Sequence, residues 1–300
     1  MTHRTEYHCI ESRTADDTDL LRGLLAQAPP VRLAGALRLP EGSTQPLPAV
    51  VLLHGSSGLS SSVQGWQEEL LTLGLASFTP DCFSARGIER TVEDQGTMPL
   101  LAMVVDAFNC LELLRRDQRI DPRRIAVIGF SRGGLAALAV GQRRLQRLTG
   151  LRGMGFAAAV AFYPAVWLRL HGDLERDGAP VLVLQGDNDD YVGVEQLQRY
   201  NTELEAVGAP LDLCWLHGVG HLFDGPANDP AVFRPQAQTL LDAQVVEGDE
   251  GVLLNSVTGA RFSWNDPQVG RGATVAYNPT AHDESRRQVA AFLGRMLGGT

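Results

Sequence analysis

The sequence predicts an α/β fold with a doubly wound, mostly parallel β-sheet flanked by helices. Apolar, β-branched runs alternate with helical patterns along most of the chain. One such run leads directly into a glycine-rich turn that is followed by an alanine-rich stretch. With 300 residues, 44% of them hydrophobic, the chain is long enough to bury one large core.

Continuous apolar runs identify buried strands, and helical periodicity identifies the segments that connect them. The predicted strands are 31–38, 49–54, 76–80, 124–130, 156–162, 180–185 and 211–216, the first of them antiparallel. The predicted helices are 66–73, 100–116, 135–140, 194–207 and 283–296.

One region departs from this alternation. Residues 225–282 separate the last predicted strand from the final helix by roughly 58 residues, whereas connections usually have about 4–6. We interpret this region as an inserted excursion with a short helix and a hairpin, which covers the site, mediates dimerisation or decorates the surface. The chain then divides into an N-terminal extension, 1–30, and a single domain, 31–300.

Composition restricts the classes of partner. A protein with a net charge of −9 is unsuited to binding a polyanion, so we expect no nucleic-acid partner. The four cysteines are scattered without a C-x-x-C pair, which predicts reduced, largely buried thiols. The N-terminus lacks the apolar core of a signal peptide, and the longest apolar stretch, 100–114, is too short to span a bilayer. We therefore expect a cytoplasmic protein that does not bind membranes.

The turn at Ser131 is the strongest candidate for chemistry. Residues 125–134 read I-A-V-I-G-F-S-R-G-G, and this strand–turn–helix context makes G-x-S-x-G a nucleophile elbow. The turn strains the serine backbone and lifts its hydroxyl above the sheet edge. Glycines flank the serine because strand and helix nearly touch there. The alternative is an ordinary turn in which Ser131 caps the helix.

A serine nucleophile needs a base, and the base needs an orienting acid. With this elbow the order along the chain is serine, acid, histidine. Of the seven histidines, three follow a suitable acid: His217, His221 and His282. We favour His221, because it lies in a glycine-loosened loop after a strand, whereas His217 ends that strand and His282 precedes the final helix.

The acid is expected after the strand 180–185, where the chain reads G-D-N-D-D-Y-V. Three carboxylates so close together cannot all be buried and charged without support. One should face the histidine while the others cap the next helix. We choose Asp189, three residues after the turn glycine, with Asp190 second. A solvated acidic turn is the alternative.

Acyl transfer also needs amides that face the developing oxyanion. One is expected from Arg132, directly after the nucleophile at a helix N-terminus, where the helix dipole contributes. The other is expected from the H-G-S-S-G loop at 54–58, with Ser56 as the favoured donor. His54 lies upstream of Ser131, and we interpret it as a structural residue that braces this loop.

Arg86 follows the strand 76–80, at the carboxyl edge of the sheet, where ligands bind in such folds. A guanidinium there would hold a substrate carboxylate, so Arg86 is a candidate substrate contact. The alternative, which we favour, is a structural salt bridge to Asp81 or another nearby acid.

Five segments together resemble a known family. They read V-V-L-L-H-G-S-S-G-L, P-D-C-F-S-A-R-G, G-F-S-R-G-G, L-Q-G-D-N-D-D-Y-V and G-H-L-F-D. The pattern is similar to the dienelactone hydrolase-like branch of the α/β-hydrolase superfamily, over about 31–223 and again at the final helix. The elbow indicates only the superfamily, whereas the first two segments are more diagnostic of the branch.

The resemblance implies an α/β-hydrolase fold with Ser131, Asp189 and His221 as a catalytic triad. It implies an oxyanion hole of the Ser56 and Arg132 amides, with no metal and no organic cofactor. The namesake enzyme has a cysteine nucleophile where Ser131 stands and a glutamate at the position of Gly55. These departures argue against its thiol activation and against dienelactone as the substrate here.

We therefore expect a carboxylic-ester hydrolase, lactones included, that acts on a small molecule through an acyl-enzyme intermediate. A serine peptidase or acyl-peptide hydrolase is one alternative. A non-catalytic member of the fold that binds a ligand is another. The sequence leaves open whether the protein forms a homodimer.

Overall fold

The computed structural model describes residues 2–151 and 153–298. The strands are β1 (His3–Arg13), β2 (Pro30–Pro40), β3 (Leu47–Leu53), β4 (Ala76–Pro80), β5 (Ile120–Phe130), β6 (Ala159–Phe162), β7 (Leu168–Arg169), β8 (Val181–Gly186), β9 (Asp212–Leu216), β10 (Val232–Thr239), β11 (Val245–Glu247), β12 (Leu253–Asn255) and β13 (Gly270–Val275). The α-helices are α1 (Asp17–Leu21), α2 (Ser61–Thr72), α3 (Ala102–Arg115), α4 (Arg132–Ala139), α5 (Arg143–Leu148), α6 (Val194–Ala206) and α7 (Pro279–Leu297).

An eight-stranded sheet in the order β1-β2-β4-β3-β5-β6-β8-β9 forms the centre of the fold. β2 is antiparallel to both of its neighbours, and all the other neighbouring pairs are parallel. This sheet with its flanking helices confirms the predicted α/β-hydrolase fold. After β3 the chain passes to β4 on one side, and β5 returns on the other, so the loops that leave β3 and β5 lie side by side at the carboxyl edge.

The central strands read as continuous apolar runs because helices flank the sheet. Residues 49–53 of β3 are fully buried. α2 begins earlier than predicted, since the Ser60 hydroxyl accepts a hydrogen bond from the Val63 N–H. α7 also begins earlier, after the side chain of Asn278 caps it, so His282 lies inside this helix and not before it.

The segment 1–30, expected as an extension outside the domain, supplies the edge strand of the sheet. β1 pairs with β2 along its whole length. Its sequence looks polar because most of its side chains are exposed or half-buried, while Ile10 and Ser12 are buried. The N-terminal segment is therefore part of the sheet. Its polar composition did not indicate a strand, because one face of this strand is exposed.

A buried ion pair ties this segment to the core. Arg86 donates hydrogen bonds to both carboxylate oxygens of Asp106, at 2.8 and 2.9 Å, and both side chains are at most 4% exposed. Asp106 also accepts from the Ser12 hydroxyl at 2.6 Å, and Arg86 donates to Thr14 Oγ1 at 2.8 Å. Arg86 is thus occupied by a structural salt bridge, to Asp106 and not to Asp81. Its proposal as a substrate contact is wrong, because its guanidinium is enclosed in the core.

The excursion consists of two antiparallel strand pairs. β10 pairs with β13, β11 pairs with β12, and β11 also runs parallel to β7. The predicted short helix is limited to single 3-10 turns at Pro226–Asn228 and Asp249–Gly251. Ala276 donates its N–H to the carbonyl oxygen of His221 at 3.0 Å, so the excursion packs on the loop that carries the candidate base.

Two further observations concern the helices and the cysteines. Within 2–151 and 153–298, no helix has the length and apolar character needed to cross a membrane. All four cysteines are free: Cys82 and Cys110 are buried, Cys214 is partly buried, and Cys9 is exposed on β1.

Replacement of Arg86 tests the structural role of the ion pair. Arg86→Met should lower the free energy of unfolding by about 3–5 kcal/mol, because the Asp106 carboxylate would stay buried without its cation. Chemical denaturation followed by circular dichroism measures this change. Arg90→Met is the matched control: Arg90 is 58% exposed beside Glu93, so it should cost less than about 1 kcal/mol. An unchanged stability combined with a raised KM for substrate would restore Arg86 as a substrate contact.

Candidate active site

Ser131 lies in the turn between β5 and α4 with φ 53° and ψ −109°, a backbone conformation that residues with side chains rarely adopt. A Cβ on Gly129 would come 1.9 Å from the carbonyl oxygen of Gly133. A Cβ on Gly133 would come 2.2 Å from the carbonyl oxygen of Leu53. The two glycines let α4 approach β5 and β3, and this contact holds the strained turn.

Ser131, His221 and Asp189 form one hydrogen-bonded chain. His221 Nε2 lies 3.1 Å from Ser131 Oγ, and its Nδ1 lies 2.7 Å from Asp189 Oδ2. The His221 side chain is 1% exposed and that of Asp189 is fully buried. The backbone N–H groups of Tyr191 and Val192 also donate to Asp189, at 2.8 and 3.1 Å. A carboxylate fixed in this way favours the tautomer with the proton on Nδ1, which leaves Nε2 free to accept from the serine.

The three carboxylates after β8 have three different partners. Asp187 lies 2.8 Å from the exposed ring of His217, which places that histidine outside the site. Asp190 accepts a hydrogen bond from the Thr274 N–H of the excursion at 2.8 Å. Of the three, Asp189 is the one that faces the buried histidine.

Close backbone contact brings the acid loop and the histidine loop together. A Cβ on Gly186 would come 2.1 Å from the carbonyl oxygen of Val219. The Asn188 N–H donates to that same oxygen at 3.0 Å. Asp189, after β8, and His221, after β9, therefore lie next to each other at the carboxyl edge of the sheet.

The loop after β3 lies beside the elbow. A Cβ on Gly55 would come 3.1 Å from the carbonyl oxygen of Phe130 and 3.5 Å from Ser131 Cβ. Ser56 lines both cavities that Ser131 lines. Arg132 is the first residue of α4, and its N–H belongs to the first turn, where a helix leaves donors free. The candidate oxyanion donors thus stand on adjacent loops.

His54 braces the loop after β3. Its Nδ1 lies 2.9 Å from the carbonyl oxygen of Gly55, and its Nε2 accepts a hydrogen bond from the Cys82 N–H at 3.2 Å. Burial lowers the pKa of the His54 ring, so it stays neutral, with one nitrogen donating and the other accepting.

A buried carboxylate behind His221 has no counterpart in the sequence-based prediction. Asp224 accepts hydrogen bonds from Tyr163 Oη at 2.6 Å, Ser62 Oγ at 2.7 Å and Trp66 Nε1 at 2.8 Å. The Tyr163 ring packs on the His221 ring at a centroid distance of 4.5 Å. Asp224 therefore fixes the Tyr163 side chain, which packs against His221. In the sequence, Asp224 could have been found from its position at the end of the G-H-L-F-D segment.

Two cavities meet at Ser131. The larger has a volume of about 150 Å³ and lies between the loop after β3 and the His221 loop. The smaller, of about 30 Å³, has mainly apolar walls: Leu100, Leu135, Ala165, Trp167, Val192, Leu240 and Trp264. Ser56, Ser131 and Tyr191 line both cavities. A substrate bound across Ser131 could therefore place its acyl and alcohol parts in different cavities.

Sequence reasoning missed several polar residues of these cavities, among them Arg234, Tyr191, Gln95 and Gln238. Arg234 of β10 brings a guanidinium to the larger cavity and donates to Ser57 Oγ at 3.1 Å. The Tyr191 hydroxyl is buried, and this burial raises the pKa of Tyr191 to about 12. Tyr191 belongs to the G-D-N-D-D-Y-V segment that was examined for the acid, whereas no local pattern distinguished Arg234 within the excursion.

A sequence model of the dienelactone hydrolase family matches residues 33–247. The chain belongs to the dienelactone hydrolase family. It is a hydrolase that acts on esters or lactones.

One similar protein, from Bradyrhizobium, is named "Probable 2-oxo-3-(5-oxofuran-2-ylidene)propanoate lactonase". It is 22% identical over 203 residues, which cover 64% of this chain and 78% of that protein. A dienelactone hydrolase-like promiscuous phosphotriesterase from metagenomic libraries has a TM-score of 0.60 at 19% identity, over 97% of this chain and 98% of that one. Esterase 2 of Thermogutta terrifontis, phosphonylated by sarin, has a TM-score of 0.51 at 18% identity, over 64% and 81%. At these identities the structural likeness shows the shared fold.

Two neighbouring aspartates offer a matched test of the geometry. Asp189→Asn should reduce kcat for p-nitrophenyl acetate by about 10³–10⁴-fold, because an amide no longer holds the required histidine tautomer. Asp190→Asn replaces a carboxylate that accepts a hydrogen bond from the Thr274 N–H, so kcat should stay close to that of the wild type. Steady-state kinetics measures both. Similar losses in the two variants would contradict the assignment of Asp189.

Proposed function

We propose that this family member hydrolyses carboxylic esters and lactones with Ser131 as the nucleophile, through an acyl-enzyme intermediate. The observation that supports this most is the hydrogen-bonded chain from Ser131 through His221 to Asp189, at the meeting point of two cavities. This arrangement matches the requirement that a serine hydroxyl have a base within hydrogen-bond reach and that the base be oriented by an acid.

In the acylation step, Ser131 Oγ attacks the carbonyl carbon while His221 Nε2 accepts the hydroxyl proton. The negative charge that develops on the carbonyl oxygen is stabilised by the N–H groups of Arg132 and Ser56, and the N-terminus of α4 adds a favourable dipole. The ester C–O bond then breaks, and His221 returns the proton to the leaving oxygen. Asp189 stays ionised and stabilises the imidazolium.

In the deacylation step, a water molecule takes the place of the alcohol. His221 accepts a proton from this water as its oxygen attacks the acyl carbon. The second tetrahedral intermediate collapses, the acid leaves, and Ser131 recovers its proton from His221. With a lactone the leaving hydroxyl stays attached to the acyl group, so the product is one hydroxy acid.

The cavities favour a small substrate. Volumes of about 150 and 30 Å³ are small compared with those that hold drug-sized ligands, roughly 300–1,000 Å³. The smaller cavity has mainly apolar walls, with Gln95, Arg132 and Gln238 also lining it, while the larger combines serine hydroxyls with Arg234. We infer that the group in the larger cavity carries an oxygen-rich or acidic substituent; the propanoate in the name of the Bradyrhizobium protein is of this kind.

Replacement of Ser131 tests the reaction class. Ser131→Ala should reduce hydrolysis of p-nitrophenyl acetate, butyrate and octanoate by about 10⁴–10⁶-fold. A fluorophosphonate probe should label Ser131 in the wild type, as mass spectrometry of the tryptic peptide would show. Undiminished activity in the variant would overturn the proposal. A labelled enzyme that cleaves only peptide anilides would be a serine peptidase, and an inactive, unlabelled wild type would be a ligand-binding member.

Replacement of Arg234 tests whether the larger cavity recognises an acidic substituent on the substrate. Arg234→Gln should raise KM about tenfold for esters with a carboxylate near the scissile bond, because a charge-assisted hydrogen bond is lost. The KM for p-nitrophenyl acetate should not change. Arg123→Gln, on an arginine that is 79% exposed on β5, is the control. An equal rise in KM for charged and neutral esters would show that Arg234 does not recognise the carboxylate.

A further inference from the structure

A single side-chain oxygen connects the two loops that carry the candidate oxyanion donors. Gln95 Oε1 accepts hydrogen bonds from Ser56 Oγ at 3.1 Å and from Arg132 Nη1 at 2.8 Å. It also accepts from Thr91 Oγ1 at 3.2 Å, and Gln95 is 8% exposed. Ser56 follows β3 and Arg132 follows β5, so the distance between these two residues is not fixed by the local chain geometry.

Further contacts hold the same two residues to the segment 91–99. The Thr91 N–H donates to the carbonyl oxygen of Ser56 at 2.8 Å. Arg132 Nη1 donates to the carbonyl oxygen of Gln95 at 3.1 Å, and its Nη2 donates to the carbonyl oxygens of Met98 and Pro99. The Arg132 guanidinium therefore keeps acceptors even without the Gln95 side chain, so loss of that side chain need not release Arg132 from the core.

The excursion in turn fixes Gln95. The Gln95 N–H donates to Gln238 Oε1 at 2.7 Å, and Gln238 Nε2 donates to the carbonyl oxygen of Trp264 at 3.2 Å. The Gln238 N–H donates to the carbonyl oxygen of Val92 at 2.9 Å. Gln238 is 4% exposed, so these bonds are shielded from water. A continuous path thus runs from the excursion to Ser56 and Arg132.

We propose that Gln95 is a positioning residue that sets the relative placement of the Ser56 and Arg132 N–H groups, and that Gln238 makes the excursion part of this device. The inference rests on the proposed function, in which these two N–H groups bind the oxyanion. Oxyanion stabilisation depends steeply on geometry, because the donors must face the place where charge develops and not the ground-state oxygen. Displacement of either loop should therefore lower kcat more than it raises KM.

Four glutamine replacements form a matched experiment, two at Gln95 and one each at Gln67 and Gln238. Gln95→Met keeps the size of the side chain and removes the shared acceptor, whereas Gln95→Glu keeps an acceptor beside Arg132. Gln67→Met removes another buried glutamine, whose Nε2 donates to Thr79 at 2.8 Å, away from both cavities. Ester hydrolysis is measured with p-nitrophenyl acetate, and inhibition with an alkylboronic acid, which forms a tetrahedral adduct on the serine. Thermal melting monitors folding.

Gln95→Met should lower kcat by about 10–100-fold with little change in KM, and weaken boronic acid inhibition by a similar factor. Gln95→Glu should recover most of the activity, and Gln238→Met should show a smaller loss of the same kind. Gln67→Met should lower the melting temperature without changing kcat below the transition. A purely structural role would make Gln95→Met behave like Gln67→Met, and this result would overturn the inference. A wild type without ester hydrolysis would instead overturn the proposed function and the inference with it.

Discussion

The close contact of α4 with β5 and β3 is the constraint on which the rest of the site depends. Gly129 and Gly133 permit this contact, since a Cβ on either would overlap a backbone carbonyl group. The chain between them must then turn within a few residues, which places Ser131 at φ 53°. The strain is maintained because the packed strand and helix on either side leave no room for relaxation. The same turn starts α4, so Ser131 and the Arg132 N–H are oriented together.

Parallel strands bring the other groups to the same edge. The acid follows β8 and the histidine follows β9, and these two strands are neighbours in the sheet. The loop after β3 lies at the same edge, close to Ser131, because β3 and β5 are adjacent at the point where the strand order reverses. Three other loops therefore converge on the turn that carries Ser131, although more than half of the chain lies between the first of these loops and the last.

Buried carboxylates near the site are stabilised in different ways. Asp106 is paired with a buried guanidinium, whereas Asp224 and Asp189 are surrounded by hydrogen-bond donors. A buried carboxylate needs such partners because its desolvation is otherwise too costly. The ion pair secures the N-terminal strand, while the neutral donors around Asp224 keep the Tyr163 ring against His221. The excursion adds a further layer: it contributes cavity walls from β10 and hydrogen bonds from Gln238.

The sequence by itself determined the fold class, most strands and the elbow, because strand alternation, helical periodicity and a glycine-flanked serine are all properties of consecutive residues. The resemblance to the family rested on such local motifs. The edge strand β1 was missed because it has one exposed face and reads as polar. Asp189 and Asp190 stand side by side in the sequence, and only the approach of the histidine loop and β13 separates their environments. The same limit applies to Arg86, whose partner Asp106 lies on α3, and to Gln95, Arg234 and Gln238, whose neighbours are distant in the chain. Contacts of this kind arise only when packing brings remote segments together, so only the tertiary structure decided them.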